Sequence, residues 1–244
     1  MAGGDNLYET FDGLVIHLAG FELAIHTSVL VWLGICLAAG IMLVAAGRKF
    51  KKADVSKAPG GMVLVFEQIV GLLTFIVGNS LGKNTRKYLW FYGTCMILML
   101  MSNLSGLLGV QPPTSNLSVN VTLALTMWLI IQTTSLKEKG LMGKIKGWCE
   151  PLWPLFPLNV LGDFTLPLSL SLRLFGNLLG GTIIMGLVYS LFSALNSILN
   201  GLGIVLLAVT PFLHAYFDIF AGFIQTYIFF TIATFFLGQE LGEE

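Results

Sequence analysis

Apolar and polar positions along this chain fall into long blocks rather than a short repeat. From Thr27 to Gly47 there are 21 residues without a charge, close to the ~20 that a helix needs to cross bilayer hydrocarbon. That block stops at Arg48, Lys49, Lys51, Lys52 and Lys57. Residues 60–82 are apolar again but carry Glu67, Gln68 and Asn79, a pattern compatible with a span or with a helix lying on the membrane surface. Beyond Lys83, Arg86 and Lys87, the 49 residues from Tyr88 to Leu136 contain no charge. One crossing cannot use that length, whereas two can. The break falls at Val110-Gln111-Pro112-Pro113-Thr114-Ser115-Asn116, where paired prolines end a helix, so 88–109 and 117–136 are predicted to form a helical hairpin. A polar stretch with Lys137, Lys139, Lys144 and Lys146 follows. The remainder divides near 196–203 into two apolar runs, 157–195 and 202–237. Each would be ~55 Å long if helical, so these helices must tilt, bend or break. Pro167 and Pro211 are candidate bends.

The bases add orientation. Twelve of the thirteen Lys and Arg lie in two segments, 48–87 and 137–146, while residues 1–26 and the 110–117 and 196–203 loops have none. The positive-inside tendency puts both basic segments in the cytoplasm and the other three outside. Bases at both ends of 60–82 then argue for a cytoplasmic-side surface or re-entrant helix. The predicted fold is an all-α polytopic membrane protein with about five crossings, the last two helices long and strongly tilted. An external N-terminal segment, 1–26, precedes a single membrane domain, 27–244, whose C-terminus is cytoplasmic. No removable signal peptide is read at the start.

Composition narrows function. The chain is 55% apolar and 11% charged, with mean hydropathy +0.83 and net charge zero, against about 25% charged in ordinary soluble domains. A soluble enzyme is thereby excluded, and no basic excess points to nucleic acid. Cys36, Cys95 and Cys149 are far apart with no CxxC, so they read as packing residues rather than metal ligands. No HExxH or Walker loop is present.

The thirteenth base is Arg173, inside an apolar helix and about fifteen residues from its cytoplasmic end. Burying a cation there costs at least ~2.5–3.5 kcal/mol on insertion scales and marks a polar pathway or a partner. Ser169 and Asn177 lie four residues either side, and Gly176 and Gly180 follow at three and seven, all on one stripe. The stripe fits an internal helix contact or a surface passed by a partner carrying a buried carboxylate. In the last helix, His214, Asp218 and Gln225 lie within about 40° of one another on an ideal helix, and an Arg173–Asp218 pair is expected. With Asp163, these groups read as stepping stones for an ion. A secondary transporter using Arg173 and Asp218 is the competing reading, but no internal repeat supports it.

The run Ser169-Leu170-Ser171-Leu172-Arg173-Leu174-Phe175-Gly176-Asn177 resembles the signature of subunit a of bacterial F-type ATP synthases. Pro157-Leu158-Asn159-Val160-Leu161-Gly162-Asp163, Asn120-Val121-Thr122-Leu123 and Gln225 are similar to further family positions, so the resemblance covers most of the chain. It implies two tilted helices wrapped along a rotating ring of c subunits, with 60–82 as the surface helix. It also implies peripheral-stalk b subunits and membrane lipid as partners, a bacterial plasma (inner) membrane, and ATP chemistry on other subunits. The transported ion would be H⁺ or Na⁺, with no tightly bound cofactor and no metal. By the same matching, Arg173 would face the ring carboxylate, Gly176 and Gly180 would allow close approach, and Asn177 and Gln225 would position Arg173 or line the channel. Asp163 would lie on the cytoplasmic-side path. The family pattern is broken at Thr182, where relatives often carry an acid or His, so Asp218 with His214 is expected to carry the external half-channel.

Overall fold

The computed structural model describes residues 13–18, 21–52, 60–108, 110, 112–150, 152–199 and 203–241. Two strands, β1 (Gly13–Leu18) and β2 (Phe21–His26), pair antiparallel, with Gly13 opposite His26 and Leu18 opposite Phe21. The N-terminal segment therefore adds a hairpin to a molecule whose membrane portion is all-α. Residues 1–12, including the acids Asp5, Glu9 and Asp12, lie outside the described residues, as does Lys57.

The apolar blocks form α1 (Thr27–Lys52), α2 (Gly61–Leu81), α3 (Thr85–Leu104) and α4 (Leu117–Glu138). The polar stretch after α4 is itself helical, α5 (Gly140–Cys149), and leads to α6 (Phe156–Leu199). The last apolar run is α7 (Gly203–His214), one π-helical turn (Ala215–Phe220) and α8 (Ala221–Leu241). Five helical stretches are long and apolar enough to cross a membrane, and one of them, Val63–Leu107, joins α2 and α3. That composite turns at Gly82, whose φ of 48° and ψ of −120° suit only a residue without Cβ. Gly140, at φ 68°, allows the corresponding turn between α4 and α5.

The core lies where α2, α3, α4, α6 and α8 meet. It contains Val77, Tyr92, Met99, Met127, Leu170, Leu174, Phe229, Phe230 and Leu237. The approach of α2 to α8 is so close that a Cβ at Gly238 would overlap the Ser80 carbonyl oxygen, as expected where small residues set helix contacts in lipid. Near the α3–α4 connection a buried polar chain replaces apolar packing. Asn103 donates to Thr226 Oγ1 at 3.0 Å, Thr114 donates to Asn103 Oδ1 at 2.9 Å, and Asn120 donates to the Thr114 carbonyl at 2.7 Å. These bonds satisfy groups that would be costly if orphaned in hydrocarbon. They also tie the Pro112–Asn116 segment to α8.

The Trp153–Asn196 stretch, mostly α6, is the least covered of the five apolar stretches: 6% of its most apolar window is buried, against 39% for Ala208–Leu241. Leu170, Ser171 and Leu174 face the bundle, while Ser169, Leu172 and Arg173 face out. Among the described residues, one long side of α6 is therefore unpartnered.

Candidate functional site

Arg173 sits on that open side. Ser169, Gly176 and Asn177 are exposed around it, and Gly176 and Gly180 have nothing within 4 Å of an added Cβ. Among the described residues, the guanidinium makes no hydrogen bond or ion pair. The stripe expected from sequence thus lies on the open side of α6 and, among the described residues, is not packed against another helix at Gly176 and Gly180.

The expected Arg173–Asp218 pair does not form. Asp218 instead holds His214, Oδ2 to Nδ1, at 2.8 Å. Hairpin register explains this. Counted from residue 202, Arg173 lies 29 positions before and Asp218 only 16 after, a mismatch of about 13 residues or roughly 20 Å along a helix. The α8 residues brought opposite Arg173 are Thr231 and Ile232.

Gln225 is also separated from His214 and Asp218. The π-turn between them closes with the Ala221 N–H bonded to the Tyr216 carbonyl. Its extra residue breaks the ideal-helix phase by about 100°. Gln225 turns into the core, 6% exposed, with its Nε2 unpartnered, while His214 and Asp218 remain half-exposed.

Asp163 is likewise elsewhere. Trp148 Nε1 donates to its Oδ2 at 2.9 Å, Gln132 Nε2 does so at 3.4 Å, and Lys144 Nζ lies 3.7 Å away. Lys144 also donates to Gln132 Oε1 and lies over the Trp148 ring at 5.5 Å. Trp128 Nε1 donates to the Asp163 carbonyl at 2.9 Å. The cluster joins α4, α5 and α6.

What does open beside Arg173 is a cavity of about 740 Å³, running along α6 toward its N-terminal end. Its polar lining comes from Ser80, Thr165, Ser169 and Thr231. Of these, only Ser169 was singled out in the sequence. Thr165 could have been found, since it lies four residues before Ser169 on the same stripe. Ser80 and Thr231 come from other helices and carried no local signal.

Past Arg173, toward the α6–α7 connection, the polar groups are different. Thr182 is exposed and its hydroxyl is bonded to the Leu178 carbonyl at 3.0 Å. Farther along, the Tyr189 hydroxyl lies 2.7 Å from His214 Nε2. Tyr189 was missed in the sequence, although it is the lone tyrosine of α6 and lies thirteen positions before residue 202, with His214 twelve after. An antiparallel hairpin brings such positions together.

Residues 28–238 match the family model described as ATP synthase A chain. The chain belongs to the ATP synthase A chain family. Similar proteins include "ATP synthase subunit a, sodium ion specific" of Propionigenium modestum, 30% identical over 73% of this chain and 63% of that protein. Another is "ATP synthase subunit a 2" of Bradyrhizobium sp., 34% identical over 75% and 77%. "ATP synthase subunit a 1" of Syntrophotalea carbinolica is 30% identical over 87% and 84%. The chain thus spans less than two thirds of the length of the Propionigenium modestum relative and most of the other two. With its five apolar helical stretches, this family member is an integral membrane protein.

Proposed function

We propose that this chain is the stator subunit of a rotary F-type ATP synthase and provides two ion half-channels against a ring of c subunits. The observation that carries the reading is Arg173: a cation on an open, glycine-flanked face, with no anion beside it among the described residues. A ring carboxylate arriving there would be held ionised by the guanidinium, and so would release its ion. The same fixed charge would block a direct path between the half-channels.

The Ser80–Thr165–Ser169–Thr231 cavity suits one half-channel, opening at the basic end, and the His214–Asp218 pair suits the other. They leave Arg173 in opposite directions along α6. Each elementary charge crossing the membrane field supplies ~2.3 kcal/mol per 100 mV, so several ions per turn can drive ATP release on other subunits.

In this reading the transported ion is H⁺ or Na⁺ and no tightly held cofactor is needed. The c ring, peripheral-stalk b subunits and lipid are the partners, in a bacterial plasma membrane. Residues 1–26 lie outside and the C-terminus lies in the cytoplasm, following the bases. The test is ion-driven ATP synthesis by the whole complex in vesicles, wild type against Arg173→Ala, with Na⁺ varied at fixed pH. Loss of synthesis in an assembled Arg173→Ala complex is expected; retained synthesis would sink the reading.

A further inference from the structure

Three side chains from α6, the end of α7 and the π-turn form one hydrogen-bonded line. The Tyr189 hydroxyl meets His214 Nε2 at 2.7 Å, and His214 Nδ1 meets Asp218 Oδ2 at 2.8 Å. Both imidazole nitrogens are thereby engaged by oxygen, on opposite sides of the ring, and the Tyr189 and His214 rings stand 6.3 Å apart. We infer that Tyr189, His214 and Asp218 form a proton relay in the outer half-channel, entered at Tyr189, and that the ion this half-channel delivers is H⁺. The inference rests on reading this end of α6 as the outer half-channel.

The chemistry follows from the donors and acceptors available. A carboxylate only accepts, so Asp218 fixes the neutral imidazole with its proton on Nδ1 and leaves Nε2 to accept from the Tyr189 hydroxyl. Tyr189 passes its proton to Nε2 and takes one from a hydronium ion of the outer water, leaving a water molecule. The Nδ1 proton passes to Asp218 Oδ2. One proton has then moved from water to a carboxyl, while the phenol and the imidazole are both neutral again. Asp218 releases its proton inward to a ring carboxylate, and the imidazole regains its Nδ1 proton by giving the Nε2 proton to channel water and taking one at Nδ1, which restores the starting bonds.

A hard cation such as Na⁺ calls for a shell of oxygen ligands. A line with an imidazole at its centre does not supply one. The π-turn that carries Asp218 is a helix form found often at functional sites, here at the position where the relay would hand over its proton.

Separating a relay from mere ring packing takes two substitutions at Tyr189, made in the whole complex in vesicles. Tyr189→Phe keeps the ring beside His214 and removes only the hydroxyl, whereas Tyr189→Leu removes both. The measurement is potential-driven H⁺ uptake after removal of the soluble ATPase sector, in Na⁺-free and Na⁺-containing buffer. Tyr189→Phe is expected to lower H⁺ flux about five- to tenfold in an intact complex, the equivalent of one lost hydrogen bond in the rate-limiting path. Tyr189→Leu should be no better, and His214→Gln should be at least as slow. Wild-type flux in Tyr189→Phe would overturn the relay, as would wild-type flux that requires Na⁺. Wild-type flux in Asp218→Asn would instead remove the outer half-channel from this end of α6, a different failure.

Discussion

Two cations inside this bundle have opposite fates. Lys144, its side chain 7% exposed, is surrounded by Asp163, Gln132 and the Trp148 ring, so its charge is answered by its own chain. Arg173, on the open side of the helix that carries Asp163, is answered by nothing among the described residues. A charge neutralised internally secures the fold, here by joining α4, α5 and α6. One held exposed on an apolar helix has a cost that the fold alone does not offset, and its anion must come from elsewhere. Cation content alone would have given both residues the same meaning.

The comparison breaks first at Arg173. Arg173→Ala should abolish coupled ATP synthesis, by a hundredfold or more if the cation acts in the way a fixed transition-state charge does, with no loss of thermal stability. Synthesis in vesicles and melting in detergent measure the two halves. Lys144→Met should do the reverse. It leaves the Asp163 carboxylate without its cation and lowers stability by about 1–3 kcal/mol, less than the 3–5 of a fully buried pair because Asp163 is part-exposed. Lys144→Met combined with Asp163→Leu should recover much of that loss, and a double-mutant cycle in detergent quantifies the coupling.

Two glycines sharpen the same contrast on a smaller scale. Gly238→Ala drives a methyl into the Ser80 carbonyl and should destabilise the α2–α8 contact by about 1–3 kcal/mol, the usual cost of overpacking. Gly176→Ala meets nothing and should leave the melting temperature of the separate subunit unchanged or raise stability by about 0.5–1 kcal/mol through helix propensity. If Gly176→Ala melts as early as Gly238→Ala, the face beside Arg173 is not open.

The membrane helices were legible because long charge-free runs reflect the solvent around each segment and need no knowledge of neighbours. Arg173 stood out for the same reason. The π-turn, in contrast, was hidden: Ala215–Phe220 has nothing in its sequence that distinguishes it from ordinary helix, and ideal phasing therefore grouped Gln225 with Asp218. The partners of Asp163, Gln132, Lys144 and Trp148, lie 15 to 31 residues earlier and meet it only through helix packing, so that cluster was not legible in the sequence. The β1–β2 hairpin was obscured by reading residues 1–26 for charge; the short apolar run Leu14-Val15-Ile16, with two β-branched residues, has the composition of a strand. Tyr189 was recoverable by register alone.

The phase break at Ala215–Phe220 works for this hairpin as a vernier does for a ruler. A helix of one uniform pitch would have to compromise between two neighbours whose contact surfaces are not aligned. With one extra residue in the turn, α7 can hold His214 toward Tyr189 while α8 keeps Gln225, Phe229 and Phe230 seated in the bundle. Deleting a single residue from that turn would force both halves onto one scale, and only one of the two alignments could then be kept.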